Sequence, residues 1–187
     1  MRVIVAFLVN TVCNFAIGLL VAKFLGPEEF GRFALAMAVG VVMQAGLFDW
    51  IRLAATRFYS ARAGAQEPDL RATLDVAFAL VAFVLGALAV GGILLALAMP
   101  MPRALIGLAA ALAITNGLFD YQAALVRARF DGALYGKLIL VKNVLAVVVT
   151  AGGAFFFASA EVAIVGVCVS MLGSIIAAGR QIGRAHV

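Results

Sequence analysis

The run FALAMAVGVVMQAGLFDWIRLAATR, Phe33–Arg57, decides the fold class. From Phe33 to Phe48 it carries no charge, and its one strongly polar side chain is Gln44. Asp49 and Arg52 then follow, one helical turn apart, before apolar residues resume. A bilayer-spanning helix needs about 20 mostly apolar residues, and Phe33–Ala55 meets that length. Spaced i, i+3, Asp49 and Arg52 can pair and partly neutralise each other. The alternative is that Arg52 extends its stem toward the headgroups, with Arg57 close behind.

The rest of the chain has the same character. Its 187 residues are 66% hydrophobic and 12% charged, with a mean hydropathy of +1.15. A soluble domain has about 25% charged residues, so a single soluble core cannot hide this much apolar surface. The formal charge of +5 does not point to nucleic acid, because the bases fall between apolar segments and form no basic face. Cys13 and Cys168 both lie in apolar runs and read as buried thiols, not a disulfide. No cluster of His, Cys or carboxylates has metal-ligand spacing, so neither a metal nor a cofactor is expected. Nucleotide-binding and hydrolase motifs are absent too, which makes a membrane enzyme the weaker class.

Six apolar segments are predicted to span the membrane: Val3–Phe24, Phe33–Ala55, Val76–Met99, Ala104–Val126, Leu138–Phe157 and Val162–Ala178. The start, MRVIVAFL, reads as the first of these and not as a signal peptide, since no cleavage pattern follows it. Gly26-Pro27 is expected to end the first helix, with Glu28 and Glu29 opening the next. Pro100 and Pro102 separate the third and fourth spans, and Asp131-Gly132 marks a turn after the fourth. Asp75 is expected to open the third helix as a solvated acid. Arg2, Arg57, Arg62, Arg71, Arg127, Arg129, Lys137 and Arg180 fall on one side of the membrane, against Lys23, Arg32 and Arg103 on the other. The positive-inside rule makes the first side, and both ends, cytoplasmic. Trp50, Phe58 and Tyr59 suit the cytoplasmic interface.

The closing IGRAHV, Ile182–Val187, is what one reading frame of a common sequencing adapter encodes. It is read as an artefact, leaving residues 1–181 as the natural part of a longer protein.

Polar residues inside spans are costly and usually face protein or water. Asn10, Thr11 and Asn14 fall within about 100° of arc on the first helix. Gln44, Asp49, Arg52 and Thr56 fall within about 140° on the second. Asn116, Asp120 and Arg127 make a stripe on the fourth, with Gln122 pointing elsewhere. Lys142 and Asn143 come just inside the expected start of the fifth, and Ser170 and Ser174 lie a turn apart on the sixth. Such stripes can converge on a hydrated cavity. Asn10 and Asn14 can instead hydrogen-bond between helices, and the serines and Gly86, Gly91 and Gly92 can serve close packing or bending. The third helix carries no polar stripe and reads as a packing strut or a lipid-facing element.

The segment VAKFLGPEEFGRFALAMAVGVVMQAGLFDWIRLAATRFYS, Val21–Ser60, resembles the amino-terminal part of bacterial Wzx-type polysaccharide flippases, within the multidrug/oligosaccharidyl-lipid/polysaccharide exporter superfamily. The resemblance rests on the LGPEEFG turn, Leu25–Gly31, and on the arginine-terminated second helix. LVRARFDGALYGKLILVKNVLAVVV, Leu125–Val149, is similar to that family's junction between helices four and five. The resemblance implies an all-α membrane protein whose six helices form one lobe of a fold of twelve or more. It implies an inner-membrane carrier of undecaprenyl-pyrophosphate-linked oligosaccharide working by alternating access, with a carboxy-terminal lobe still to follow. The polysaccharide polymerase machinery is a further expected partner.

On that reading Arg52 and Lys142 suit the pyrophosphate, with Arg57 and Arg127 at the cytoplasmic mouth. Asn10, Asn14, Gln44, Asn116 and Asn143 complete the candidate cavity wall. Asp49 or Asp120 would take a coupling proton or sodium ion, or act as salt-bridge partners. A cation-coupled drug exporter of the same fold and a non-transporting membrane scaffold are the competing expectations.

Overall fold

The computed structural model describes residues 2–58, 68–95, 102–129 and 131–184, and among them every regular element is helical. Five helices are long and apolar enough to cross a membrane by length and composition: Phe7–Leu47, Asp69–Leu94, Arg103–Ala128, Gly132–Phe157 and Ala160–Ala178. Phe83, Leu94, Phe156 and Ile176 each leave about three quarters of their surface uncovered, at 74, 77, 78 and 75%. Large side chains so exposed on several helices suit lipid, not water. The chain is thus built as a multi-pass membrane protein.

Helix α1 spans Arg2–Leu47 but is interrupted at Gly26, where φ is 72° and ψ is 175°. A glycine takes that conformation without a Cβ penalty, and Pro27 then begins the second arm at a position whose N–H a helix does not use. The expected Gly26-Pro27 boundary therefore exists, and α1 is two helices that meet at a kink. The second arm does not run on to Ala55 as the sequence suggests. It ends at Leu47, and α2, Asp49–Phe58, begins after a turn at Phe48.

Phe48 closes one helix and opens the other. Its N–H donates to the Gln44 carbonyl (2.9 Å), and its own carbonyl accepts from Ile51 (3.0 Å) and Arg52 (3.3 Å). Its ring is buried against Phe78, centroids 4.9 Å apart, and over Gly117.

Helix α3 occupies Pro68–Leu94, with Pro68 at its first position and Asp69 in its first turn. It starts earlier than predicted, so Asp69, not Asp75, is the opening acid. The expected end at Met99 lies outside the described residues, as do Tyr59 and Arg62. Helix α4, Arg103–Ala128, buries a line of small residues including Ala109, Ala113, Gly117 and Ala124. These admit close neighbours. The Gly40 backbone on α1 approaches the Ala109 carbonyl of α4, so a Cβ added at Gly40 would lie 3.1 Å from that oxygen and 2.8 Å from Leu112.

Helix α5, Gly132–Leu145, is capped by Asp131, whose Oδ1 accepts the Leu134 N–H at 2.9 Å. It continues without a break through a π-helical turn, Ala146–Ala151, into α6, Gly152–Phe157. Ala158, in the left-handed region at φ 45°, ends this rod. Ser159 then leads into α7, Ala160–Arg184.

Two compact units result. One combines α1 up to Leu35 with α5, the π turn, α6 and α7. The other combines α1 from Ala36 with α2, α3 and α4, around a core that includes Phe48, Ile51, Phe78, Tyr121 and Leu125. Within the first unit the rod meets α7 through small residues on both sides. Gly166 abuts the backbone of Thr150, so closely that a Cβ there would lie 2.8 Å from the Thr150 Cα. Ser170 and Ser174 are buried on the same helix and donate to the Val167 and Met171 carbonyls at 2.7 Å each. This is the small-residue packing by which membrane helices associate. Gly86, Gly91 and Gly92 do not take that role, since a Cβ at each would meet nothing within 4 Å among the described residues.

Candidate functional site

In the unit formed by α1 and α5–α7, Asn10 and Asn14 of α1 meet Lys142 of α5. Because Asp131 starts α5 at Gly132, Lys142 lies not near the helix start, as the sequence suggested, but ten residues in. That is about 15 Å of rise at 1.5 Å per residue. It is close to the middle of the Gly132–Phe157 rod. Its side chain is 7% exposed. The ammonium donates to Asn10 Oδ1 at 2.8 Å and reaches Asn14 Oδ1 at 3.4 Å. Asn10 and Asn14 are four residues apart and so share one face of α1. Buried charge in an apolar medium persists only with such charge-assisted partners.

Asn143 follows directly but points elsewhere, since adjacent helical residues diverge by about 100°. It is 3% exposed, and neither its Nδ2 nor its Oδ1 has a hydrogen-bond partner among the described residues. Thr150 Oγ1, fully buried in the π turn, is also unpartnered among the described residues. An open apolar groove of about 240 Å³ lies between Cys13 on α1 and Leu140, Asn143, Val144, Val147 and Val148 on the rod.

At the far end of these helices the LGPEEFG turn has a structural use that the sequence did not disclose. Glu29 Oε2 accepts the backbone N–H of Ala160 at 2.8 Å and so caps α7 from another helix. Arg32 pairs with the other oxygen of Glu29 at 2.9 Å. Phe24 packs edge-on against Phe155 beside it, at 5.2 Å between centroids.

In the unit formed by α1 to α4, Gln44 is the centre. Its Nε2 donates to Asp49 Oδ1 at 3.0 Å and to Asp120 Oδ2 at 3.3 Å, joining α1, α2 and α4. Arg52 Nε lies 3.3 Å from the same Asp49 oxygen, so the charge pair in the opening run does form, with both side chains about a third exposed. Asn116 is half-buried one turn before Asp120 and takes no part in the Gln44 bridge. Arg57 and Arg127 are exposed near helix ends; Arg57 lies over the Phe58 ring at 5.5 Å, and Arg127 Nε donates to the Ala123 carbonyl at 3.4 Å.

Asp75 is a residue whose role the sequence reading missed. It accepts the Tyr121 hydroxyl at 2.7 Å and pairs with Arg71 at 3.6 Å, fastening α3 to α4. Its spacing of four from Arg71 was the available signal.

The structure thus gathers Asn10, Asn14 and Lys142 in one unit, and Gln44, Asp49, Arg52 and Asp120 in the other. The chain matches no family model, no curated protein and no solved structure.

Proposed function

We propose that the chain is the amino-terminal lobe of an inner-membrane flippase that moves undecaprenyl-pyrophosphate-linked oligosaccharide for surface polysaccharide synthesis. The observation that carries this reading is Lys142, an ammonium held by two neutral carboxamides near the middle of an apolar rod. An anionic headgroup meets its highest cost at the bilayer centre, and a fixed cation there lowers it. Charge-assisted contacts between an ammonium and phosphate oxygens are strong, so Lys142 suits a pyrophosphate headgroup. The break in α1 at Gly26 supports six crossings with both ends cytoplasmic, the arrangement expected of one lobe. A carboxy-terminal lobe completes the alternating-access pair, and the polymerase machinery receives the product.

The test uses the intact gene in a strain deleted for it. Lys142→Ala should accumulate the lipid-linked precursor and lose surface glycan while the protein stays in the membrane. Lys142→Arg should restore part of the glycan. Wild-type glycan from the alanine variant would remove the main support for this function.

A second reading has its own observation. Asp49 and Asp120 share the Gln44 carboxamide, and acidic side chains held together inside helices suit a coupling proton or sodium ion. A cation-coupled drug exporter would use them directly. Asp120→Asn would then abolish gradient-dependent drug efflux and leave surface glycan intact.

A further inference from the structure

We infer that the π-helical turn Ala146–Ala151 is a movable register defect, and that its migration toward the start of α5 puts Asn143 in place of Lys142 opposite Asn10 and Asn14. The inference concerns how this rod moves and does not depend on the cargo.

A π turn accommodates one residue more than an α-helix does over the same rise, and such turns occur singly and often at functional sites. Here the Gly152 N–H reaches back five residues to the Val147 carbonyl. Upstream of the turn each residue occupies its own helical slot. Downstream each occupies the slot one earlier. Moving the turn upstream past Lys142 therefore carries the intervening residues back by one slot, a rotation of about 100°. Asn143 then stands in the Lys142 slot, and Lys142 swings to that of Val141, which is half-exposed.

The unpartnered groups lie where this movement would relieve them. Asn143 has both polar side-chain atoms unsatisfied although it is 3% exposed. In the shifted register its carboxamide turns toward Asn10 and Asn14, which offer donors and acceptors directly or through one water. Thr150 is the other case. Thr11, Thr73 and Thr115 each donate to the carbonyl four residues back, at 3.0, 2.8 and 3.0 Å. Thr150 makes no such bond, and it sits inside the π turn. Regular α geometry restores the Ala146 carbonyl to it. A single step thus satisfies both orphaned side chains and releases the ammonium, at the cost of the Lys142 bonds to Asn10 and Asn14. The exchange also suits the packing against α7. Leu145 now fills the space left by Gly173, where a Cβ would lie 2.7 Å from its Cδ1. After the shift Ala146 faces Gly173 and Val147 enters the Ala146 slot, so volume lost at one position is regained at the next.

The test is cross-linking in membranes of the full chain, with Cys13→Ala and Cys168→Ala removing the native thiols. Three pairs are treated with a short bifunctional thiol reagent: Asn10→Cys with Lys142→Cys, with Asn143→Cys, or, as the control, with Leu140→Cys, exposed at the groove rim and about 160° around the rod from Lys142. The first two pairs should cross-link and the third should not. Deleting Val148 removes the extra residue and fixes the present register, so the Asn143→Cys pair should be lost and the Lys142→Cys pair kept. A second readout leaves Asn10 in place: alkylation of Lys142→Cys by maleimide should slow when Val148 is deleted. If Asn143→Cys cross-links no better than Leu140→Cys while Lys142→Cys does, the rod does not shift and the inference fails. Equal alkylation with and without Val148 would overturn it as well.

Discussion

Gln44 stands between two carboxylates, and its amide nitrogen can give one hydrogen to each. A leucine of similar size would fill the same space and leave both acids short of a donor. A hydrogen bond to a charged group contributes about 1.5–3 kcal/mol, and less where the acceptor is only partly buried, as both acids are here. Gln44→Leu should therefore lower the unfolding midpoint of the purified protein in detergent. Adding Asp120→Asn should return part of the loss, because a neutral amide tolerates the missing donor better than a carboxylate does. An unchanged midpoint in Gln44→Leu would mean the bridge contributes nothing between α1 and α4. The sequence made this cluster half-legible. Asp49 and Arg52 announce themselves by spacing, whereas Asp120 lies 76 residues beyond Gln44, and only packing brings the two together.

At the scale of elements, boundaries set by local backbone chemistry were readable and those set by distant contacts were not. Gly26-Pro27 and Asp131-Gly132 signal their turns in two letters, and the chain obeys both. The break at Phe48 has no such signal, because the residues around it favour a continuous helix. It exists because the Phe48 ring seats against Phe78 and the bare backbone of Gly117, where a Cβ would lie 2.7 Å from the ring. Lys142 was misjudged for a related reason: its depth depends on where α5 starts, and Asp131 starts it earlier than hydropathy suggests.

Gly117→Ala should force Phe48 from its place and cost about 1–3 kcal/mol, as overpacking in a filled core does. Gly86→Ala on α3 meets open space and should instead stabilise by about 0.5–1 kcal/mol through helix propensity. Thermal unfolding of the two variants in parallel checks the pair. Equal midpoints would show that the α1–α4 contact is loose. Gly26→Ala belongs at this scale too. The positive-φ, extended backbone at Gly26 is nearly closed to L-residues and costs them on the order of 1–3 kcal/mol, so this variant should unfold earlier than wild type although its Cβ would meet nothing within 4 Å among the described residues.

For the molecule as a whole, the conformation of one glycine fixes a parity. If the arms of α1 before and after Gly26 cross the bilayer separately, the described helices make six crossings and both ends of the chain share a side. If α1 crosses once, five crossings put the ends on opposite sides. At about 1.5 Å per residue, the arm on either side of Gly26 rises at least 30 Å, enough for a bilayer core, while the two laid end to end would far exceed it. The charged residues agree with separate crossings. Glu28, Glu29 and Arg32 form their ion pairs just past Gly26, and Glu29 holds the start of α7 there, so separate crossings would put this charge at a bend and a single crossing would put it at mid-membrane. With the proposed cytoplasmic amino terminus and six crossings, single cysteines at Glu28 and at Ala158 should react with a membrane-impermeant thiol reagent added outside intact cells, in a background lacking Cys13 and Cys168. Cysteines at Arg57 and Arg129 should react only after the membrane is opened. Protection of the Glu28 position from the outside, with labelling at Ala158 retained, would mean that α1 is a single crossing, and the two ends of the chain would then lie on opposite sides.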